Sequence, residues 1–363
     1  MRGDQTIFRG AFLGLAVGDA MGNTVDRSTL ADIRADYGPN GLLGYDLVNG
    51  YAEVTSYTQI AAFAANGLLL GLTRGQMKPD LLVRYIALAL REWSRSQHYC
   101  AAERNYCWLS TVPELKRRHC MDTRMLDALS RESLGTLEEP ACCSALPSSL
   151  TAVLPVALLS GILDMEQTQI DRLGAETVAL THGDPAAFVS GAVLTHVLSL
   201  LLKEPDISEE ALLRHTVDAI QLQFGREYCQ TTQLWELLQY ARVLASSETT
   251  GQMEAMELLR CRTAPEVLAG VYYACLTCHG DFDAAMITAV NHSGRSAAVG
   301  AITGAVLGMR LGETALPEFY LESLEPTQLL LQIADDMAQG CPADRLGNLF
   351  DDDWDRKYLH GGT

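Results

Sequence analysis

Basic residues are scarce in this chain. Its 27 lysines and arginines face 45 aspartates and glutamates, giving a formal charge of −18 across 363 residues. A surface that negative repels phosphodiester backbones and anionic headgroups, so nucleic-acid and acidic-membrane binding are excluded. It suits solubility and would attract a basic protein partner. Long uninterrupted apolar runs are missing too. The stretch from Leu150 to Leu163 is broken by Thr151, Pro155 and Ser160 and is too short to cross a bilayer, so it reads as a buried helix. Met1-Arg-Gly-Asp-Gln5 lacks the apolar core of an export signal. A cytoplasmic chain is therefore expected, with its ten cysteines as reduced thiols.

Metal and haem signatures are equally thin. Cys275-Leu-Thr-Cys278-His279 has the spacing of a haem-attachment motif, but such attachment belongs to exported proteins. The two thiols also share one face of a helix, where they serve as small core residues. No second pair of thiols or imidazoles stands at a matching zinc spacing.

What the chain has is helical periodicity, with few alternating strand patterns. Helices are predicted over Thr6–Met21, Thr58–Leu72 (ending near Gly75), Asp80–Ser94, Ala186–Leu202, Asp283–Val290 and Val299–Leu311. Asp184-Pro185 supplies an N-cap and first-turn proline, and Ser208 caps a helix whose first turn carries Glu209 and Glu210. Thr263 and Glu266 form a capping-box pattern ahead of a helix through Cys275. Thr136 to Ser149 reads as a long loop, and Asp351-Asp-Asp-Trp-Asp355 as part of a solvated acidic tail over residues 340–363. One domain spanning 1–363 is expected, all-α throughout.

Two segments carry glycine every fourth residue: Gly10, Gly14, Gly18 and Gly22, then Gly300, Gly304, Gly308 and Gly312. An interior helical glycine costs up to about 1 kcal/mol relative to alanine. A full stripe is tolerable where two backbones pack closely, or where a ligand lies against the helix. The first reading makes these two helices the centre of the fold.

The first stripe, Gly10-Ala-Phe-Leu-Gly-Leu-Ala-Val-Gly-Asp-Ala-Met-Gly22, resembles the G-x-x-x-G-x-A-x-G-D-A-x-G helix of the ADP-ribosylglycohydrolase family. Thr181-His-Gly-Asp-Pro185 is similar to that family's T-H-x-[DH]-P turn. Asn291-His-Ser-Gly-Arg-Ser-Ala-Ala-Val-Gly-Ala-Ile-Thr-Gly304 is similar to its N-x-G-G-D-x-D-[ST]-x-x-A-I-x-G motif. The similarities run in the family's order over roughly residues 6–325. The resemblance implies a compact orthogonal multi-helix bundle, and in the family two Mg²⁺ ions held by two aspartate pairs orient ADP-ribose for hydrolysis.

The chemistry of those motifs departs from the family. Where the family reads T-D-D-T-Q, this chain reads Thr55-Ser56-Tyr57-Thr58-Gln59. In the second metal motif the aspartate positions carry Arg295 and Ala297, and the hydroxyl position Ala298. The family's glycine-rich central segment is replaced by Cys142-Cys-Ser-Ala-Leu-Pro-Ser-Ser-Leu150. Mg²⁺ resists dehydration and needs carboxylate charge, which a hydroxyl, a phenol and a methyl lack; a guanidinium repels it. The two Mg²⁺ ions are therefore predicted to be absent and hydrolysis lost. The expected function is binding, to an ADP-ribosylated protein, an ADP-ribosyltransferase or a toxin of that kind, with ADP-ribose itself a possible ligand. The alternatives are a residual hydrolase with a displaced ion, for which Glu53 or Asp46 would serve, or with no ion at all, and a scaffold with a plugged pocket. Asp281-Phe-Asp283 reads as a helix N-cap rather than a ligand pair.

Besides the degenerate metal-site positions Thr55, which is retained, and Ser56, Tyr57, Arg295, Ala297 and Ala298, which are replaced, candidate pocket residues are Asp19, Thr58, His182, Asn291 and Ser293. Asp19 either caps a backbone turn or pairs with Arg295. His182 is either a helix-entry histidine or part of the pocket wall. Arg295 either fills space in an ion pair or holds a phosphate or carboxylate, and Tyr57 either plugs the cavity or stacks on a base.

Overall fold

A computed structural model describes residues 3–98, 105–119, 122–341 and 351–362. Its seventeen α-helices are α1 (Gln5–Val25), α2 (Leu30–Tyr37), α3 (Ser56–Thr73), α4 (Pro79–Gln97), α5 (Thr123–Ser130), α6 (Val153–Leu158), α7 (Gln167–Ala179), α8 (Pro185–Lys203), α9 (Glu209–Phe224), α10 (Gln230–Ala245), α11 (Gln252–Leu259), α12 (Ala264–Cys278), α13 (Phe282–Val290), α14 (Ser296–Leu311), α15 (Glu318–Glu322), α16 (Thr327–Gln339) and α17 (Asp352–Tyr358). Extended pairing among the described residues amounts to two isolated bridges, Val48 with Tyr51 and Ala52 with Leu324. The all-α expectation holds.

Helix boundaries follow local cap chemistry. Asp184 accepts from the Ala186 amide at 2.9 Å, Ser208 from Ala211 at 3.3 Å and Asp281 from Ala284 at 3.0 Å. Thr263 and Glu266 close the expected capping box of α12. Each bond satisfies an amide that the first helical turn leaves unpaired. The helices run a turn or so longer than periodicity alone marks, because buried ends are held by packing as well as by caps.

The glycine stripes do what close backbone packing requires. α1 and α14 lie antiparallel, with Gly14 against Gly304 and Gly18 against Gly300. A methyl group on Gly14 would overlap the Gly304 carbonyl oxygen. Both helices are apolar on nearly every face and buried along almost their whole length, as a central pair must be. α3 and α8 are buried similarly around them.

α8 is long and apolar enough to cross a membrane by length and composition, yet 72% of its apolar window is buried inside the fold. Its polar groups are satisfied internally: Ser190 and Thr195 bond their own helix, and His196 Nδ1 lies 2.8 Å from Asp171. The Leu150–Leu163 run is a buried succession of short turns, 3₁₀ at Leu150–Ala152, α6, then 3₁₀ at Leu159–Gly161. Cys275 and Cys278 are buried core residues of α12. All eight cysteines among the described residues are free thiols, while Cys100 and Cys120 lie outside them.

One expectation is corrected. Residues 351–355 are not a solvated tail, because α17 docks on the bundle with Trp354 only 4% exposed and Tyr358 fully buried. Trp354 Nε1 donates to Thr73 Oγ1 at 2.9 Å, and the Tyr358 hydroxyl donates to Asp336 at 2.6 Å. Two aromatic rings offset the local acidity that the sequence displays. Residues 342–350 of the expected tail lie outside the described residues.

Candidate functional site

Three helices begin at one cavity. Ser56 and Tyr57 of α3, Thr123 and Arg124 of α5, and Arg295 and Ala297 at the head of α14 line a space of about 350 Å³. Asn23, Asp26 and Arg27, where α1 ends, face it, as do His119, Asp122, Leu146 and Ser148. The N-terminal ends of three helix dipoles thus converge on this space and favour negative charge there.

The wall is built from polar side chains that hold one another. Asp19, completely buried, accepts the Thr55 amide at 2.8 Å and hydroxyl at 2.5 Å, and the Thr58 amide at 3.0 Å and hydroxyl at 2.6 Å. Burial pushes its pKa up to about 6, against the opposing pull of those four bonds. Asp19 therefore caps the start of α3. The alternative of a pair with Arg295 does not form, since both Asp19 oxygens are engaged by the two threonines.

Asp122 anchors the opposite wall. Its Oδ1 accepts the Arg124 and Met125 amides at 3.1 and 3.3 Å, capping α5. Its Oδ2 accepts from Ser148 Oγ at 2.6 Å and lies 3.0 Å from His182 Nε2. Burial opposes ionisation of this carboxyl, but the bonds from His182 and Ser148 outweigh it and hold its pKa well below the usual range. His182 is fully buried, its other ring nitrogen 2.9 Å from Thr181 Oγ1. It is a satisfied helix-entry histidine standing behind the wall.

Asp26 joins the two halves. Its Oδ1 accepts the Ala297 amide at 3.2 Å, capping α14 from the end of α1, and its Oδ2 lies 3.5 Å from Arg27 Nε. Burial raises its pKa, partly countered by the Ala297 amide and the Arg295 charge. Arg295 is half-buried at the N-cap position of α14, tied by its backbone amide to the Cys261 carbonyl at 2.8 Å. Arg295 and Asp26 feel each other's charge, yet no ion pair closes on Arg295 or Arg124 among the described residues. Tyr57 is held by burial as a neutral phenol, and its carbonyl accepts from Thr151 at 2.7 Å.

Of the residues singled out by sequence, Thr55, Ser56, Tyr57, Arg295 and Ala297 line the cavity, while Ala298 is buried behind it. Thr58 bonds Asp19 instead of facing the space. Asn291 clamps the loop at Leu42, accepting its amide at 2.7 Å and donating to its carbonyl at 2.9 Å. Ser293 accepts the Leu30 amide at 2.8 Å at the start of α2. Asp281 caps α13, and Asp283 accepts the Tyr320 hydroxyl at 2.6 Å.

Sequence reasoning missed Asp26, Arg27, Asp122, Arg124 and Ser148. A visible signal existed for Asp122, an N-cap aspartate ahead of the amphipathic Thr-Arg-Met-Leu pattern. Nothing local marks Asp26, whose role depends on a helix start 271 residues away. No group of three or more His, Cys, Asp or Glu side chains among the described residues is arranged to hold a metal ion.

A buried antiparallel glycine-striped pair, an all-helical shell and a polar cavity at three helix starts define the class. The ADP-ribosylglycohydrolase family model matches residues 3–346, and the chain belongs to that family. A protein of Archaeoglobus fulgidus described only as uncharacterized is 24% identical over 335 residues, covering 90% of this chain and 94% of its own. A solved structure titled an ADP-ribosylglycohydrolase-related protein complex superposes with a TM-score of 0.55 at 21% identity, covering 93% of this chain and 98% of that one. At that identity the likeness concerns the fold.

Proposed function

We propose that this chain is a catalytically inactive ADP-ribosylglycohydrolase-like protein that acts by binding. Its partner is an ADP-ribosylated protein or the transferase that makes the modification, an ADP-ribosylating toxin included. The observation that carries the reading is the composition of the cavity wall. At the positions where the family pattern places aspartates stand Ser56, Tyr57, Arg295 and Ala297, and all four lie at helix starts already favourable to anions.

The donor set does not suit paired magnesium ions. Two adjacent divalent cations need several carboxylates to offset their repulsion, and the lining supplies Asp26 and Asp122. Asp122 spends both oxygens on four donors, and Asp26 caps α14 beside Arg27. Asp122 is also too weak a base to draw a proton from water near neutral pH. The cavity wall therefore lacks the free carboxylates that metal-assisted hydrolysis would need. The net charge of −18 supports a basic protein as the partner.

A residual, metal-free hydrolase is the second reading, favoured by Asp26, a cavity carboxyl whose pKa is raised by burial. One experiment separates the two. Purified protein is incubated with ADP-ribosylated arginine and serine peptides, with Mg²⁺ present, and both peptide binding and free ADP-ribose are measured. Binding without release is expected. Release that Asp26→Asn abolishes would overturn the proposal in favour of the hydrolase, and neither binding nor release would leave a scaffold.

A further inference from the structure

Acidic residues outnumber basic ones by 45 to 27 in this chain, so an arginine without an ion pair is not for want of carboxylates. Yet three arginines, Arg27, Arg124 and Arg295, line one cavity against two acidic residues, Asp26 and Asp122. Both carboxylates are committed to helix caps, and among the described residues only Arg27 of the three has a carboxylate contact, at 3.5 Å. Arg27 is also fixed in a conformation that arginine seldom adopts, with φ of 68°, so its place on the wall is set by the turn that ends α1.

Guanidinium groups bind phosphoryl oxygens in pairs of parallel hydrogen bonds, and they keep their charge at every physiological pH. The space of about 350 Å³ exceeds what a single inorganic anion fills and falls within the range of small-molecule sites. Tyr57, kept neutral by burial, adds no repelling charge.

We infer that this cavity is a metal-independent binding site for a phosphoryl anion of the pyrophosphate type, free or carried by a nucleotide, held by Arg295 with Arg124 and Arg27. The inference rests on the binding reading given above for the same cavity. The charge that divalent cations would bring is supplied by the protein itself, so recognition needs no metal.

Titration calorimetry on the full chain tests this with inorganic pyrophosphate, ADP-ribose and adenosine in EDTA, then ADP-ribose again with Mg²⁺. Pyrophosphate and ADP-ribose should bind, adenosine should bind far more weakly, and Mg²⁺ should leave the ADP-ribose affinity unchanged. Tighter binding of ADP-ribose than of pyrophosphate marks the nucleotide as the source of the phosphoryl group, and the reverse marks the free anion. Arg295→Ala should weaken pyrophosphate binding about tenfold or more, the worth of one charge-assisted hydrogen bond. Arg295→Lys should restore part of it. Arg124→Ala, at an exposed position, should weaken binding without disturbing the fold, which circular dichroism checks. A requirement for Mg²⁺, parental affinity in both alanine variants, or no pyrophosphate binding at millimolar concentration would overturn the inference. Retained capture of ADP-ribosylated peptides without pyrophosphate binding would sink this inference alone. Peptide hydrolysis alongside metal-free, Arg295-dependent affinity would sink only the inactive reading.

Discussion

Asp19 and Asp122 are both buried carboxyls at helix starts, yet they pull stability in opposite directions with pH. Asp19 titrates near 6 in the folded chain against 3.8 for a free carboxyl. The folded state therefore holds a proton that the unfolded state has released between those values. Its contribution favours folding on the acid side and is lost as pH rises through about 6. Asp122 is depressed below the free value, so its contribution is present above that value and is lost as pH falls below it. Denaturant titrations of the parent and Asp19→Asn between pH 4 and pH 7 should show the parent losing its acid-side advantage across that window and the variant showing a flatter profile. The amide would also meet the threonine donors with its own N–H groups, at a cost of about 1–3 kcal/mol. Asp122→Ala should cost about 2–5 kcal/mol, because His182 and Ser148 lose a shared acceptor in a buried setting. At this scale the sequence was half legible. Thr55, Ser56, Tyr57, Arg295 and Ala297 were found because their neighbours in the motif are intact. Asp26 was hidden because its meaning is tertiary.

Elements were easier to read than sites. Caps and 3.6-residue periodicity are local properties, which is why Asp184, Ser208, Thr263 and Asp281 announce their helices in sequence. The glycine stripes announced close packing for the same reason. α17 was misread because its anchor is not local: Trp354 bonds Thr73, 281 positions earlier in the chain. Trp354→Ala should lower stability by about 3–5 kcal/mol, measured by chemical denaturation. Gly14→Ala gives a sharper test of the central pair. An alanine would favour an isolated helix by up to about 1 kcal/mol, but here its methyl meets the Gly304 carbonyl. Net destabilisation of about 1–3 kcal/mol is expected from overpacking. A stabilised variant would mean that the helices are not in backbone contact.

The molecule as a whole is strongly negative, with a cavity whose lining arginines outnumber its carboxylates by three to two. That contrast predicts opposite salt responses for two kinds of binding. Docking of a basic partner over the general surface should weaken steeply with added salt, since exposed charges are screened within about 10 Å at 0.1 M. Pyrophosphate in the half-buried cavity should lose less over the same range. Affinities measured at two salt concentrations check both. The all-helical class and the family were legible because glycines, caps and order along the chain survive substitution of the reactive groups. Function was less legible, because loss of one chemistry does not write its replacement into a motif.

α1 delivers Asp26 and Arg27 to the cavity, and α14 delivers Arg295 and Ala297 beside them. The spacing between these two helix ends is fixed by hydrogen atoms, the only side chains the striped glycines have, so the pair behaves as a ruler with no slack. Residues that never meet a ligand thereby set the gauge of the mouth. Larger substitutions deep in the seam would change what the arginines can grasp without altering a single charged group.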